Sequence, residues 1–248
     1  MGAITLASRA LASAEVLPDA SSLARRAAER IVTRLAEPGR RHAVALAGGS
    51  TPEALYRLLA TDAFRHRIPW SDVHWFWGDE RFVAADDALN NARAALDALL
   101  THVPVPAENI HRIPTDVATP AESAARYEAT LRDFHGGQAR DPGSPLFSLV
   151  LMGLGPDGHT ASLFPGDPVV DETHRWVVPV EKAGLAPFVP RVTLTLSALG
   201  STREMLFLVS GAGKQAPLRR IRAGEHLPAA RAHADGELVW LLDRGAAG

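Results

Sequence analysis

No cysteine occurs among the 248 residues. That absence excludes disulfides, thiolate catalysis and cysteine-based zinc sites. No apolar run reaches the length of a membrane span. The stretch from Met1 to Leu17 is mildly apolar, but Arg9 interrupts it where a signal peptide would keep its hydrophobic segment, so a cytoplasmic location is expected. A basic excess is also missing: the formal net charge is -2, which argues against nucleic acid or a membrane surface as partner. Lysine is scarce, occurring only at Lys182 and Lys214, while arginine carries the remaining positive charge. A lysine retained in such a chain calls for a reason. Hydrophobic residues at 46% and charged residues at 22% place the chain among ordinary globular proteins, and its length suits one large α/β domain or two small ones.

The patterning alternates between strand and helix. Leu23, Ala27, Ile31 and Leu35 recur at helical spacing within residues 19–37, and Pro38-Gly39 stops the run. A short apolar strand, 42–47, leads into Gly48-Gly49. A helix then opens at Ser50-Thr51-Pro52, with proline in the first turn where its missing N–H costs nothing. A second strand, 73–77, ends at Gly78-Asp79-Glu80-Arg81. Helices are predicted over 91–100 and 121–134. The continuous apolar run 147–152 reads as a strand buried on both faces. Further strands are expected at 176–180, 192–196, 205–209 and 238–242, with a helix over 214–222. Gly136 to Pro145 reads as a loop. Alternating strands and helices imply a Rossmann-like α/β fold, a mostly parallel sheet flanked by helices. We read residues 1–248 as a single domain, with 1–17 as a lead that need not be firmly ordered. Ligands of such sheets bind at the carboxyl ends of the strands. Four of those ends carry unusual polar residues: Gly48 to Thr51, Asp79 to Arg81, Asp157 to His159, and Gly211 to Lys214.

Gly153, Gly155 and Gly158 spell the G-x-G-x-x-G pattern of dinucleotide sites, a weak signal alone. Asp157 would place negative charge beside a pyrophosphate, Pro165 cuts short the helix such a site needs, and several β-α units precede the strand. NAD is therefore rejected. The loop instead presents Asp157 and His159 two residues apart. Histidine can act as a general base near neutrality, and a neighbouring carboxylate can orient it. A turn-packing histidine is the plainer alternative; the glycine density and the strand-end position favour function.

The turn Gly48-Gly49-Ser50-Thr51 into a helix N-terminus suits an anion such as phosphate, although plain N-capping by Ser50 or Thr51 is compatible with it. Lys214, after Gly211-Ala212-Gly213, can approach the same ligand. Arg191 is a weaker candidate, since most arginines are solvated surface charges. Arg81 can grip an oxyanion, and Asp79 with Glu80 can bind sugar hydroxyls. The Walker spacing is absent. No metal-ligand spacing appears either, so no metal is expected.

Taken together, these motifs resemble the 6-phosphogluconolactonase family. The matching segments keep their order from about residue 42 to 243. They are 46–52 (LAGGSTP), 77–83 (WGDERFV), 90–91 (NN), 110–114 (IHRIP), 153–165 (GLGPDGHTASLFP), 191–195 (RVTLT), 211–214 (GAGK) and 240–243 (WLLD). The resemblance implies hydrolysis of 6-phosphoglucono-1,5-lactone in the pentose phosphate pathway, without metal or organic cofactor. It implies His159 as general base with Asp157 beside it, Arg81 at the reacting end, and Ser50, Arg191 and Lys214 on the phosphate. Ala92 and Gly200 depart from residues frequent in the family; neither touches the core motifs, and the departures bear on substrate-rim details, not on the reaction. Two rivals are weighed. A glucosamine-6-phosphate deaminase would carry a glutamate in the run after its D-G-H, where this chain has Ser162-Leu163-Phe164-Pro165. A non-catalytic sugar-phosphate sensor would keep the phosphate site without needing His159.

Overall fold

The computed structural model describes residues 5–36, 41–136 and 141–248. Nine strands occur among them: β1 (Glu15–Leu17), β2 (His42–Leu46), β3 (Val73–Trp77), β4 (Asp79–Arg81), β5 (Leu149–Met152), β6 (Val177–Val180), β7 (Arg191–Leu194), β8 (Glu204–Val209) and β9 (Glu237–Asp243). Six form a parallel sheet in the order β1-β9-β8-β5-β2-β3. The helices are α1 (Leu6–Ala12), α2 (Ala20–Leu35), α3 (Ser50–Leu59), α4 (Asp62–Arg65), α5 (Asn91–Ala95), α6 (Pro120–Phe134), α7 (Leu196–Gly200), α8 (Gln215–Arg222), α9 (Pro228–Arg231) and α10 (Arg244–Ala247).

Every residue of the central strands β2, β5 and β8 is buried, which is why their sequences run apolar without alternation. Phe207 and Trp240 face each other in register across β8 and β9 and stack with centroids 3.8 Å apart. Helix α2 starts where the Asp19 carboxylate accepts from Ser22 N, and it buries the stripe that includes Leu23, Ala27, Ile31 and Leu35. On its more polar side, Arg30 and Arg34 reach the buried Glu204 carboxylate at 2.6 and 2.8 Å, tying α2 to the start of β8.

Three expectations are revised. Residues 6–17 are not a loose lead: Thr5 caps α1, and β1 adds an edge strand beside β9. Asp79 to Arg81 is more than the polar end of the 73–77 strand. It forms β4, which pairs antiparallel with β7 in a small separate sheet of order β4-β7-β6. The strand expected at 192–196 is β7, 191–194, and Thr195 caps α7 instead of extending it. Residues 37–40, with the expected Pro38-Gly39 stop, and 137–140 of the loop lie outside the described residues.

Gly78 joins the two sheets. Its N–H donates to Leu46 O of β2 at 2.9 Å, and its carbonyl accepts from Leu194 N of β7 at 2.8 Å. Two tyrosines, the only ones in the chain, complete the backbone bonding at this fork. Tyr56 Oη accepts from Ala47 N and donates to Ala47 O. Tyr127 Oη does the same for Trp77.

Beside β3, His111 stacks on Phe76 with centroids 4.4 Å apart, and its Nε2 lies 3.0 Å from His74 Nδ1. Burial, then the charges of His74 and Arg41, press His111 down to about 4. An unfolded histidine titrates near about 6.5. Between those values the unfolded chain binds more protons, so stability falls as the pH drops through this window. With the ring only half-buried, the loss is expected to be about 1–2 kcal/mol. Urea titrations from pH 7 to 4.5 should show a smaller loss in His111→Phe than in the parent chain; equal losses would contradict the assignment.

Candidate active site

Gly48, Gly49, Ser50, Thr51, Asp79, Arg81, His159, Arg191 and Lys214 line one cleft of about 300 Å³ at the carboxyl edge of the parallel sheet, while Asp157 and Glu80 do not. Gly48, Gly49, Ser50 and Thr51 follow β2; Asp79 and Arg81 lie in β4; His159 follows β5; Lys214 follows β8; and Arg191 enters from β7. That volume is at the lower end of small-molecule sites.

His159 is set by its loop. Its Nδ1 lies 2.6 Å from Asp157 Oδ1, and the same oxygen accepts the His159 N–H at 3.1 Å. Gly155 N donates to His159 O, folding the loop back on itself. A Cβ on Gly155 would stand 2.0 Å from His159 Nδ1, so only glycine lets the ring lie against the backbone there. The ring's other neighbour is Phe164, with centroids 4.8 Å apart. Asp157 is not among the residues lining the cleft, and its carboxylate is engaged with the histidine. With an ionised aspartate the Nδ1 position carries the proton, leaving Nε2 as an acceptor. Ala161, also on the cleft wall, holds φ 48, a left-handed conformation that is costly for a residue with a Cβ.

Helix α3 begins with Gly49 as its N-cap residue and no side chain bonded to its first turn. Neither Ser50 nor Thr51 serves as that cap, so the expected alternative use of these hydroxyls does not apply. The first-turn N–H groups lie at the cleft, where the helix dipole favours negative charge. Lys214 ends a short 3-10 turn, and its Nζ donates to Leu154 O at 2.6 Å. Burial lowers its affinity for a proton, and Asp157 pulls the other way.

Arg81 and Arg191 are direct cross-strand partners in the β4–β7 pair. Arg191 is buried rather than solvated, with 4% of its surface exposed. Its guanidinium donates to Pro187 O at 2.9 Å and to Val189 O at 3.3 Å. Burial, and after it the like charge of Arg81, push Arg191 below its ordinary value. Arg81 donates to Leu89 O at 3.0 Å, while its buried Nε has no hydrogen-bond partner among the described residues. Two adjacent guanidiniums, one with an unmet donor, suit an incoming anion.

Asp79 and Glu80 separate in role. Asp79 lines the cleft and accepts the Ser162 hydroxyl at 2.5 Å. Glu80 is fully buried behind it and accepts from the backbone N–H groups of Arg81, Asn91 and Ala92. Burial pushes its carboxyl up to about 7, against those three donors. Glu80 thus ties β4 to the start of α5 and is not a sugar contact.

Four residues of the site were given no role from the sequence. Asn91 looked like an ordinary helix start. Its side chain lines the cleft, donates to Asp79 O at 3.0 Å, and packs where a Cβ on Gly48 would stand 2.0 Å from its Oδ1. Ser162 orients Asp79, and Thr160 donates to Gly153 O at 2.8 Å to hold the histidine loop. Asp243, in the WLLD segment, accepts from Gly211 N and bonds Ser210, fixing the turn before Lys214. All four lie within the matching segments 90–91, 153–165 and 240–243, and that membership was their only signal. Among the described residues no group of three or more histidine, aspartate or glutamate side chains is gathered to hold a metal ion, and no helix is long and apolar enough to cross a membrane.

In sequence and in overall fold, the chain has relatives among known proteins. A 6-phosphogluconolactonase of Synechocystis sp. is 42% identical over 221 residues, covering 88% of this chain and 88% of the relative. One from Mycobacterium tuberculosis is 39% identical over 247 residues, covering 95% of this chain and 97% of the relative. Among solved structures, 6-phosphogluconolactonase from Thermotoga maritima matches with a TM-score of 0.79 at 31% identity, over 93% of this chain and 98% of that one. Residues 18–240 match the family described as glucosamine-6-phosphate isomerases/6-phosphogluconolactonase. With motifs, fold and relatives in agreement over most of its length, the chain belongs to that family.

Proposed function

We propose that this chain hydrolyses 6-phosphoglucono-1,5-lactone to 6-phosphogluconate, a step of the oxidative pentose phosphate pathway. The observation that carries the reading is the Asp157–His159 bond of 2.6 Å beside a cleft that also holds Arg81, Arg191 and Lys214. A cleft with three cations and an oriented imidazole fits a phosphorylated substrate whose other end must be attacked by water. The relatives named above carry this activity in their names.

In this mechanism the phosphate rests against the α3 N-terminus, Ser50, Arg191 and Lys214. The lactone C1 lies near His159. Nε2 takes a proton from water as the water oxygen adds to C1. Negative charge develops on the carbonyl oxygen, where Arg81 stabilises it. The C1–ring oxygen bond then breaks, and the imidazolium returns its proton to the departing oxygen. Asp157 keeps the proton on Nδ1 and offsets the charge on the ring while it is cationic. Asp79, fixed by Ser162, accepts a sugar hydroxyl. The lactone also opens spontaneously, so a single positioned acid–base suffices.

Replacing His159 by alanine should lower kcat on fresh lactone on the order of 10²–10⁴-fold with the fold retained. Near-normal turnover in a folded variant would remove His159 from the chemistry. Asp157→Asn keeps the shape but no longer dictates the tautomer, so kcat should fall by about 10²-fold or more while KM changes little; an unchanged kcat would leave Asp157 a loop residue only. Lys214→Ala deletes a charge-assisted contact and should raise KM by roughly 10-fold or more. An unchanged KM would place the phosphate elsewhere. Ammonia release from glucosamine 6-phosphate, with no lactone hydrolysis, would overturn the reaction itself.

A further inference from the structure

The two tyrosine hydroxyls bond the chain at the ends of β2 and β3, which lead into the Gly48–Thr51 turn and into β4. The β2–β3 ladder closes with Leu46 opposite Trp77. Beyond it Ala47 has no neighbouring strand on its Tyr56 side. The Tyr56 hydroxyl supplies both missing partners, accepting from Ala47 N at 3.0 Å and donating to Ala47 O at 2.7 Å. Because Tyr56 lies in the second turn of α3, it closes the strand–turn–helix unit on itself, with Gly48-Gly49-Ser50-Thr51 held between the two attachment points. Tyr127, from α6, treats Trp77 in the same way, at 2.8 Å from N and 3.1 Å to O. Trp77 immediately precedes Gly78 and the strand that carries Asp79 and Arg81.

Both rings are buried, at 2% and 1% exposed. Burial drives both phenols well above their ordinary value, so each hydroxyl keeps its proton and can donate and accept at once. Phenylalanine would fill the same space and leave a backbone N–H and C=O unpaired in each case. The chain uses phenylalanine eight times and tryptophan five times, yet tyrosine only here. The hydroxyl, not the ring, is what distinguishes these two positions.

We propose that Tyr56 and Tyr127 are positioning residues of the site: their hydroxyls stand in for missing strands and fix the directions in which the Gly48–Thr51 turn and the Asp79–Arg81 strand leave the sheet. Tyr56 thereby aligns the N–H groups of the anion turn. Tyr127 aligns Asp79 and Arg81. The two meet through Asn91, whose side chain packs on Gly48 and donates to Asp79 O. The kinetic consequences rest on the lactonase reading; the structural consequence does not.

The test uses the full-length chain as Tyr56→Phe and Tyr127→Phe, followed by amide hydrogen exchange and by steady-state kinetics on fresh lactone. Tyr56→Phe should speed exchange over residues 47–51, and raise KM by about 5-fold or more with kcat within about 2-fold, as the loss of a buried hydrogen-bond pair implies. Tyr127→Phe should speed exchange over residues 77–81 and act chiefly on kcat, by roughly 5-fold or more. Variants that melt earlier yet keep parental exchange at both turns and parental kinetics would reduce the tyrosines to core packing and overturn the proposal. If the parent chain fails to hydrolyse the lactone, the functional reading fails, and faster or unchanged exchange at the two turns decides the tyrosine proposal alone.

Discussion

The hydrogen bond from Gly78 N to Leu46 O is the last rung between β2 and β3, and the site exists because the sheet forks beyond it. Up to that rung the parallel ladder satisfies the backbone. Past it, β2 turns into α3, while the chain after β3 crosses to a second sheet, with Gly78 bonding to both. The fork opens a cleft whose walls are backbone turns, and buried backbone groups must find partners. Tyr56, Tyr127, Glu80, Asn91 and Asp243 provide them. Each of these side chains bonds main chain rather than lining the cleft with a free functional group, Asn91 doing both. The cleft walls are thus bonded to their frame, leaving the cationic and imidazole groups to face a ligand.

Charge distribution gives this frame a direction. Arg81 and Arg191 lie opposite each other in register, an arrangement in which like charges repel. Arg191 is buried and held by carbonyls rather than by a carboxylate. Lys214 likewise rests on a carbonyl. Such groups retain charge that no acidic side chain fully neutralises, and an anionic ligand would offset it. The carboxylates nearby are already committed: Asp157 to His159, Asp79 to Ser162, Glu80 to three N–H groups. Around Glu204, by contrast, arginines and carboxylates pair directly, and that cluster joins helix to strand. The cleft cations Arg81, Arg191 and Lys214 thus rest on carbonyls, whereas Arg30 and Arg34 rest on a carboxylate.

The parallel sheet was legible because its central strands are buried on both faces and read as unbroken apolar runs, such as 147–152. The glycine turns were legible because close approach tolerates nothing larger, as Gly155 against His159 and Gly48 against Asn91 show. The small antiparallel sheet was not. β4 is three polar residues, Asp79-Glu80-Arg81, and nothing in so short a run distinguishes a strand from a loop. Arg191 was the weaker candidate because its burial depends on that hidden sheet. Tyr56 and Tyr127 fell on the apolar faces of helices, where the sequence suggests core packing and says nothing of what a hydroxyl reaches. The sequence sets Asp157 two residues from His159, but that it bonds both the ring and the backbone N–H while staying off the cleft wall needed the fold of the loop.

The central claim is an orientation: reacting carbon at His159, phosphate at the α3 N-terminus with Lys214 and Arg191. A crystal structure with 6-phosphogluconate bound tests it most directly. The account predicts the C1 carboxylate within hydrogen-bonding reach of His159 Nε2 and Arg81, and the phosphate within reach of Ser50, Lys214 and Arg191. A product bound the other way round, with its phosphate against His159, would contradict it.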